Sequence, residues 1–135
     1  MNVALRMKSW GIDSQMISSV GDDSLGNEII SRLKEQGLDT KYIQINKKFD
    51  TDIVTVTLDQ HGSASYEIKH PVSWYKIKLQ SKHKKLVSTS KAFVFGSLVA
   101  RASISKNCLL DLLKIAPYTV FDVNLRALHY STTDI

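Results

Sequence analysis

A chain of 135 residues with 43% hydrophobic and 23% charged content can bury a core as one domain, and that balance excludes a disordered or membrane-embedded polypeptide. No apolar run approaches the ~20 residues of a membrane span, the start lacks a signal-peptide layout, and the lone Cys108 has no disulfide partner, so a reducing, cytoplasmic setting is expected. The net charge of +5 is uneven: residues 68–110 carry nine of the 18 basic residues and no acid, while the remainder is net negative.

Asn2 to Trp10 places Val3, Met7 and Trp10 on one helical face, with Gly11 as its stop. Ser14 to Val20 reads as a strand ending at Gly21. Asp23 or Ser24 can then cap a helix that carries Leu25, Ile29, Ile30 and Leu33 on one side and stops at Gly37. Tyr42 to Ile45 is a short strand. Asp52 to Asp59 alternates Val54, Val56 and Leu58 with Thr55 and Thr57, and Ala64 to Lys69 follows across a Gly62 turn, which predicts a β-hairpin with one wet face.

The dense basic segment Ser81-Lys82-His83-Lys84-Lys85 lacks interleaved aromatics and reads as a solvated connection, with a nucleic-acid-binding module as the competing reading. Ala92 to Phe95 is continuously apolar, as a strand buried on both faces would be. Ser105 opens a helix bearing Leu109, Leu112, Leu113 and Ala116, Pro117 ends it, and Tyr118 to Val123 makes another buried strand. Strand, helix and strand at this spacing form a βαβ unit of a parallel sheet.

Ligands of open α/β sheets gather beyond the carboxyl ends of the strands. Gly21-Asp22-Asp23, Gly96-Ser97 and Asp122 to Arg126 fall at such ends, which predicts a polar small-molecule cleft on one rim. The competing reading is that these loops are polar because helices need caps. Cys108 reads as a packed thiol, His61, His70, His83 and His129 show no metal-ligand spacing, and Trp10 and Trp74 read as core and rim packing.

Several segments carry a resemblance. Asn2-Val3-Ala4 matches the end of a Gly-Gly-x-x-x-Asn segment, and Val20-Gly21-Asp22-Asp23-Ser24-Leu25-Gly26 matches Val-Gly-x-Asp-x-x-Gly. Glu35-Gln36-Gly37-Leu38-Asp39-Thr40, His70-Pro71-Val72-Ser73-Trp74, Phe95-Gly96-Ser97-Leu98 and Asp122-Val123-Asn124-Leu125-Arg126 follow in order. Their order and spacing resemble the ribokinase/PfkB family of carbohydrate kinases, closest to its fructokinase-like members. Tyr75 stands where an acidic residue is expected after Trp74, which weakens the choice of sugar.

The resemblance implies an α/β, ribokinase-like three-layer αβα fold with a parallel sheet core and a partial β-hairpin lid at about 50–70. It implies sugar binding by Asn2, Asp22, Thr51, Gly96, Asn124 and Arg126, fructose being the best single choice, and transfer of the ATP γ-phosphate with Mg2+. Asp122 would either contact the sugar or orient Arg126, whose planar fork suits paired oxygens. The family's Gly-Ala-Gly-Asp segment, with its base and anion cradle, does not occur, so the chain is expected to be the substrate-side part of a kinase, truncated at both ends and inactive alone. No residue is therefore assigned catalysis or ATP binding. A non-catalytic product persisting by self-association is the alternative, and a dimer through the lid or exposed strand edges is expected.

Overall fold

The computed structural model describes residues 2–58, 60, 64–68 and 71–123. Two compact units divide the chain, residues 1–77 and 78–135.

The first unit opens with α1 (Asn2–Ser9) and continues through β1 (Ser18–Gly21), α2 (Ser24–Glu35) and β2 (Ile43–Asn46) to the hairpin of β3 (Val54–Leu58) and β4 (Ala64–Ile68). Both helices end by the same device. Gly11 and Gly37 take φ of 76° and 77°, and the amides of the residues after them, Ile12 and Leu38, bond back to Met7 and Leu33 at 3.0 and 2.9 Å. That geometry satisfies the last free carbonyls of each helix and turns Leu38 into the core.

β1 and β2 run parallel, with Val20 opposite Ile45 and Gly21 opposite Asn46. Val20, Leu33, Leu38 and Ile43 form the buried cluster, against which Ala4, Leu5, Met16, Ile29 and Ile30 pack. The expected apolar face of α1 is therefore corrected: Ala4 and Leu5 face the cluster, whereas Val3 is 44% and Trp10 65% exposed. The short helix uses adjacent residues because only its inner edge touches the unit. β3 and β4 pair antiparallel, Val54 opposite Ile68 and Leu58 opposite Ala64, as the alternation predicts, but the expected single wet face is corrected: Val54, Thr55 and Val56 are all exposed, because nothing among the described residues packs on the apolar side of β3. A 3-10 turn at Ser73–Lys76 then returns to β1, and Ser73 and Tyr75 are buried there.

The second unit contains α3 (Ser81–Thr89), β5 (Phe93–Gly96), a 3-10 turn at Ser97–Arg101, α4 (Ser103–Leu113) and β6 (Thr119–Asp122). β5 and β6 are parallel and joined through α4, as the βαβ reading requires. Two expectations change here. The basic segment is not a connection but the first turns of α3, whose lysines stay exposed while His83 and Val87, four residues apart, are buried. The strands are not buried on both faces: Val94 is exposed and all of β6 is exposed. Among the described residues β5 and β6 pair only with each other, and α4 packs on α3 and the 3-10 turn, so neither face of the pair is covered as a central strand's would be. α4 opens two residues earlier than its sequence suggests, which leaves Ser105 buried inside it beside Cys108, Leu109 and Leu112. No helix among the described residues is long and apolar enough to cross a membrane.

Candidate functional site

The carboxyl end of β1 turns directly into α2, and the turn is built around one carboxylate. Asp23 is the N-cap of α2, extended at φ −137° and ψ 174°, and its Oδ1 accepts the Gly26 amide at 2.7 Å. A helix start leaves free amides, and a side-chain acceptor at this position satisfies one of them. The same carboxylate accepts two further bonds from across the unit: the Thr51 amide donates to Oδ2 at 2.7 Å, and the Thr51 hydroxyl donates to Oδ1 at 2.8 Å. The Thr51 hydroxyl in turn accepts the Gly21 amide at 2.9 Å. These donors hold the Asp23 carboxyl below its ordinary value, the Thr51 amide contributing most and the Gly26 amide next.

The packing explains both glycines of the motif. A Cβ at Gly21 would collide with Asp23 Oδ2 and lie 2.5 Å from the Thr51 nitrogen, and one at Gly26 would collide with the Gly21 carbonyl oxygen. The spacing Gly21-x-Asp23-x-x-Gly26 is thus the imprint of a close three-segment junction.

Asp22 is left exposed on this loop, its amide donating to the Asn46 carbonyl at 2.9 Å, so β2 fixes the backbone from which the carboxylate projects. Capping of α2 falls to Asp23 and leaves the Asp22 carboxylate out of it. Thr51 is buried, with its hydroxyl engaged by Gly21 and Asp23, and it precedes β3 by three residues. Asn2 begins α1 and lines an open groove with Arg6, Trp10 and Gln36, a groove whose lining does not include Asp22.

Around Thr51 the two stems of the hairpin are fastened. The Ser73 amide donates to the Asp50 carbonyl at 3.0 Å, Trp74 Nε1 donates to Asp52 Oδ2 at 3.0 Å, and the Lys76 ammonium stands 4.9 Å from the centre of the Phe49 ring. The buried Ser73 hydroxyl reaches the Ser19 carbonyl of β1 at 3.1 Å. Tyr75, in place of an acidic residue, is a core side chain with 2% exposure. Sequence reasoning placed Asp23 as a helix cap without its Thr51 partner, and missed Ser73 and Asp52 as members of this assembly. Only the Val-Gly-x-Asp-x-x-Gly spacing signalled it.

In the second unit Gly96 pairs with Asp122 at the carboxyl end of β5 and β6, and the Phe95 and Phe121 rings stack at 5.1 Å beneath them. A Cβ at Gly96 would meet only the Asp122 carbonyl oxygen, at an ordinary 3.7 Å. Asn124 and Arg126 lie outside the described residues, as do Gly62, His61, His70 and His129. Cys108 is buried, and burial pushes its thiol up, with the nearby Asp111 charge adding to the shift. Among the described residues no three His, Cys, Asp or Glu side chains are grouped to hold a metal.

Parallel β–α–β units with an inserted antiparallel hairpin define a ribokinase-like α/β protein, and solved structures agree. An uncharacterized sugar kinase of Pyrococcus horikoshii superposes with a TM-score of 0.84 at 27% identity, over 98% of this chain and 44% of its own. The fructokinase of Halothermothrix orenii superposes at 0.85 over 99% of this chain and 48% of its own, at 19% identity. In sequence the Pyrococcus protein is 30% identical over 128 residues, which is 93% of this chain and 41% of that protein. An ATP-dependent 6-phosphofructokinase of Thermoanaerobacterium thermosaccharolyticum is 31% identical over 96 residues, 71% of this chain and 29% of the enzyme. The profile of the pfkB family of carbohydrate kinases matches residues 1–134, and the chain belongs to that family. It spans less than half the length of these relatives.

Proposed function

We propose that this chain is the sugar-binding part of an ATP-dependent carbohydrate kinase, that the sugar is fructose, and that the chain alone does not turn over ATP. The observation that carries the reading is the loop after β1: Asp22 is presented to solvent at the carboxyl end of a parallel strand pair while Asp23 beneath it is fully occupied. Ligands of open α/β sheets bind at that edge, and a carboxylate accepts hydrogen bonds from paired sugar hydroxyls. Family membership over residues 1–134 supplies the substrate class, and relatives named as fructokinases supply the choice of sugar.

Asn2, Thr51, Gly96, Asn124 and Arg126 enter the proposal from the family motifs. Asn2 would offer both a donor and an acceptor to a hydroxyl, and Arg126 a planar fork to the sugar or its phosphate. Thr51 would act through the loop it braces, since its hydroxyl is engaged there. ATP was solved bound to the Pyrococcus kinase. ATP and Mg2+ belong to the proposed whole activity, but the described residues fit neither: they group no metal ligands, and the chain lacks a glycine-rich phosphate cradle. No transfer step is derived through them. The exposed face of the β5–β6 pair favours self-association of the chain.

Calorimetry of fructose into the full chain, with Asp22→Ala and Arg126→Ala beside it, tests the reading. Weakened binding in either variant supports it. Fructose affinity unchanged in both variants would place the site elsewhere.

A further inference from the structure

A two-stranded hairpin is marginal in water when it stands alone, because one ladder cannot offset the ordering of both strands. β3–β4 is such a hairpin, pairing with no other strand among the described residues, and Ile53, Val54 and Val56 are about half exposed. Its order therefore depends on how its stems are held. The incoming stem is fixed at one point by five atoms of three segments: the Thr51 amide and hydroxyl, both Asp23 carboxylate oxygens and the Gly21 amide. The outgoing stem is fastened to the incoming one through Ser73 on Asp50 and Trp74 on Asp52, and to β1 through Ser73 on the Ser19 carbonyl.

We infer that Asp23 and Thr51 are positioning residues which lock the root of the β3–β4 hairpin to the loop that presents Asp22, so that hairpin and loop hold one fixed relation. An N-cap alone would need only the Gly26 bond. The two extra bonds to Thr51, 28 residues away, bring no further benefit to α2 but join it to the hairpin. Thr51 is buried and Asp23 half-buried, which limits the competition of water for these bonds. Gly21 and Gly26 are the residues that let the three segments approach so closely. That the hairpin closes over a sugar rests on the proposed function. The anchoring does not.

Backbone amide exchange on the full chain tests the anchor with Thr51→Val, which keeps the shape and removes the hydroxyl, with Thr51→Ser, which retains it, and with Asp23→Asn. The expected result is selective: β3 and β4 amides exchange about tenfold faster in Thr51→Val and Asp23→Asn, β1–β2 amides other than Gly21, whose own acceptor is the Thr51 hydroxyl, change less than about twofold, and Thr51→Ser behaves as wild type. Hairpin exchange that is unchanged, or that accelerates equally with β1–β2, would overturn the inference. Should Thr51→Val fail to fold, Asp23→Asn against Thr51→Ser decides in the same way. Fructose calorimetry on the same set forms a separate arm. Wild type that ignores fructose refutes the sugar reading while the exchange pattern still judges the anchor, and wild-type binding that weakens about tenfold in Thr51→Val but not in Thr51→Ser shows that the lock serves the sugar site.

Discussion

The Thr51 hydroxyl donates to the Asp23 carboxylate at 2.8 Å across 28 residues of sequence, and the two side chains together close the junction of β1, α2 and the hairpin root. Removing the carboxylate takes away a helix cap, worth about 1 kcal/mol, and leaves the Thr51 amide without its acceptor, at roughly 1–3 kcal/mol more. Asp23→Ala is expected to lower unfolding free energy by about 2–4 kcal/mol in urea titrations. Asp22→Ala, on the same loop but exposed, is expected to stay within about 0.5 kcal/mol. Equal losses in the two variants would contradict the division of labour between these neighbours.

Glycine substitutions separate packing from ligand contact. Gly21→Ala and Gly26→Ala put a methyl group onto Asp23 and onto the Gly21 carbonyl, and overpacking of this kind costs about 1–3 kcal/mol. Gly96→Ala meets only an ordinary contact at 3.7 Å, so thermal unfolding should shift little. A loss of fructose affinity in a normally stable Gly96→Ala would then report a ligand near Gly96 and not a damaged fold.

Acid stability should depend on Asp23 more than on other shifted carboxylates. Its folded value lies below the 3.8 of an ordinary aspartate, so the unfolded chain takes up the proton first. The stabilisation is present above pH 3.8 and is lost as pH falls through the lower folded value. Asp39 and Asp111 are also lowered, by Lys41 and Lys114, but both pairs are exposed and solvent screens them. Denaturation followed from pH 6 to about 2 should show a flatter acid limb in Asp23→Asn than in Asp39→Asn. The reverse order would mean that the junction is open in solution.

Cys108 offers a probe of the second unit. Its thiol is 4% exposed and burial raises its pKa, so both access and thiolate fraction are low. Labelling by a disulfide reagent at pH 8 should be at least about a hundredfold slower than in urea-unfolded protein, with its rate following opening of α4. Rapid labelling of native chain would show that α4 does not pack as described.

Local signals carried most of the element pattern. Glycine stops, the Asp23 cap and the period-two alternation of Val54 to Leu58 are rules of neighbouring residues, and each leaves its mark in the chain. What escaped was tertiary. Nothing near Ser73 announces a bond to Ser19, and Thr51 carries no structural role in the sequence until Gly21 and Asp23 are placed against it. The basic run Lys82 to Lys85 hid a helix because its buried side, His83 and Val87, is only two residues wide. The apolar strands β5 and β6 misled in the opposite sense, since continuous hydrophobicity records the burial a strand is suited to and not the burial it has in this chain.

That mismatch supports a last prediction. Val94 and Val120 are register partners on β5 and β6, and they remain 41% and 39% exposed. Tyr118, just before β6, is exposed as well, and Phe121 and Val123 are exposed on the opposite face of the strand. Covering such a surface is favourable by about 25 cal/mol for each Å² of apolar area removed from water, and open strand edges add unpaired backbone groups that a second copy can satisfy. The 15.2 kDa chain is therefore expected to self-associate, with an apparent mass that rises with concentration in sedimentation equilibrium. Val120→Lys places a charge in the middle of the exposed strand, where its own copy would repel it, and should shift the population toward monomer without lowering the cooperativity of unfolding. Wild type that sediments as a single 15.2 kDa species at every concentration would refute this use of the β5–β6 face. Association that survives Val120→Lys would move the interface to another surface, and the half-exposed Val54 and Val56 of the hairpin would be the next residues to charge.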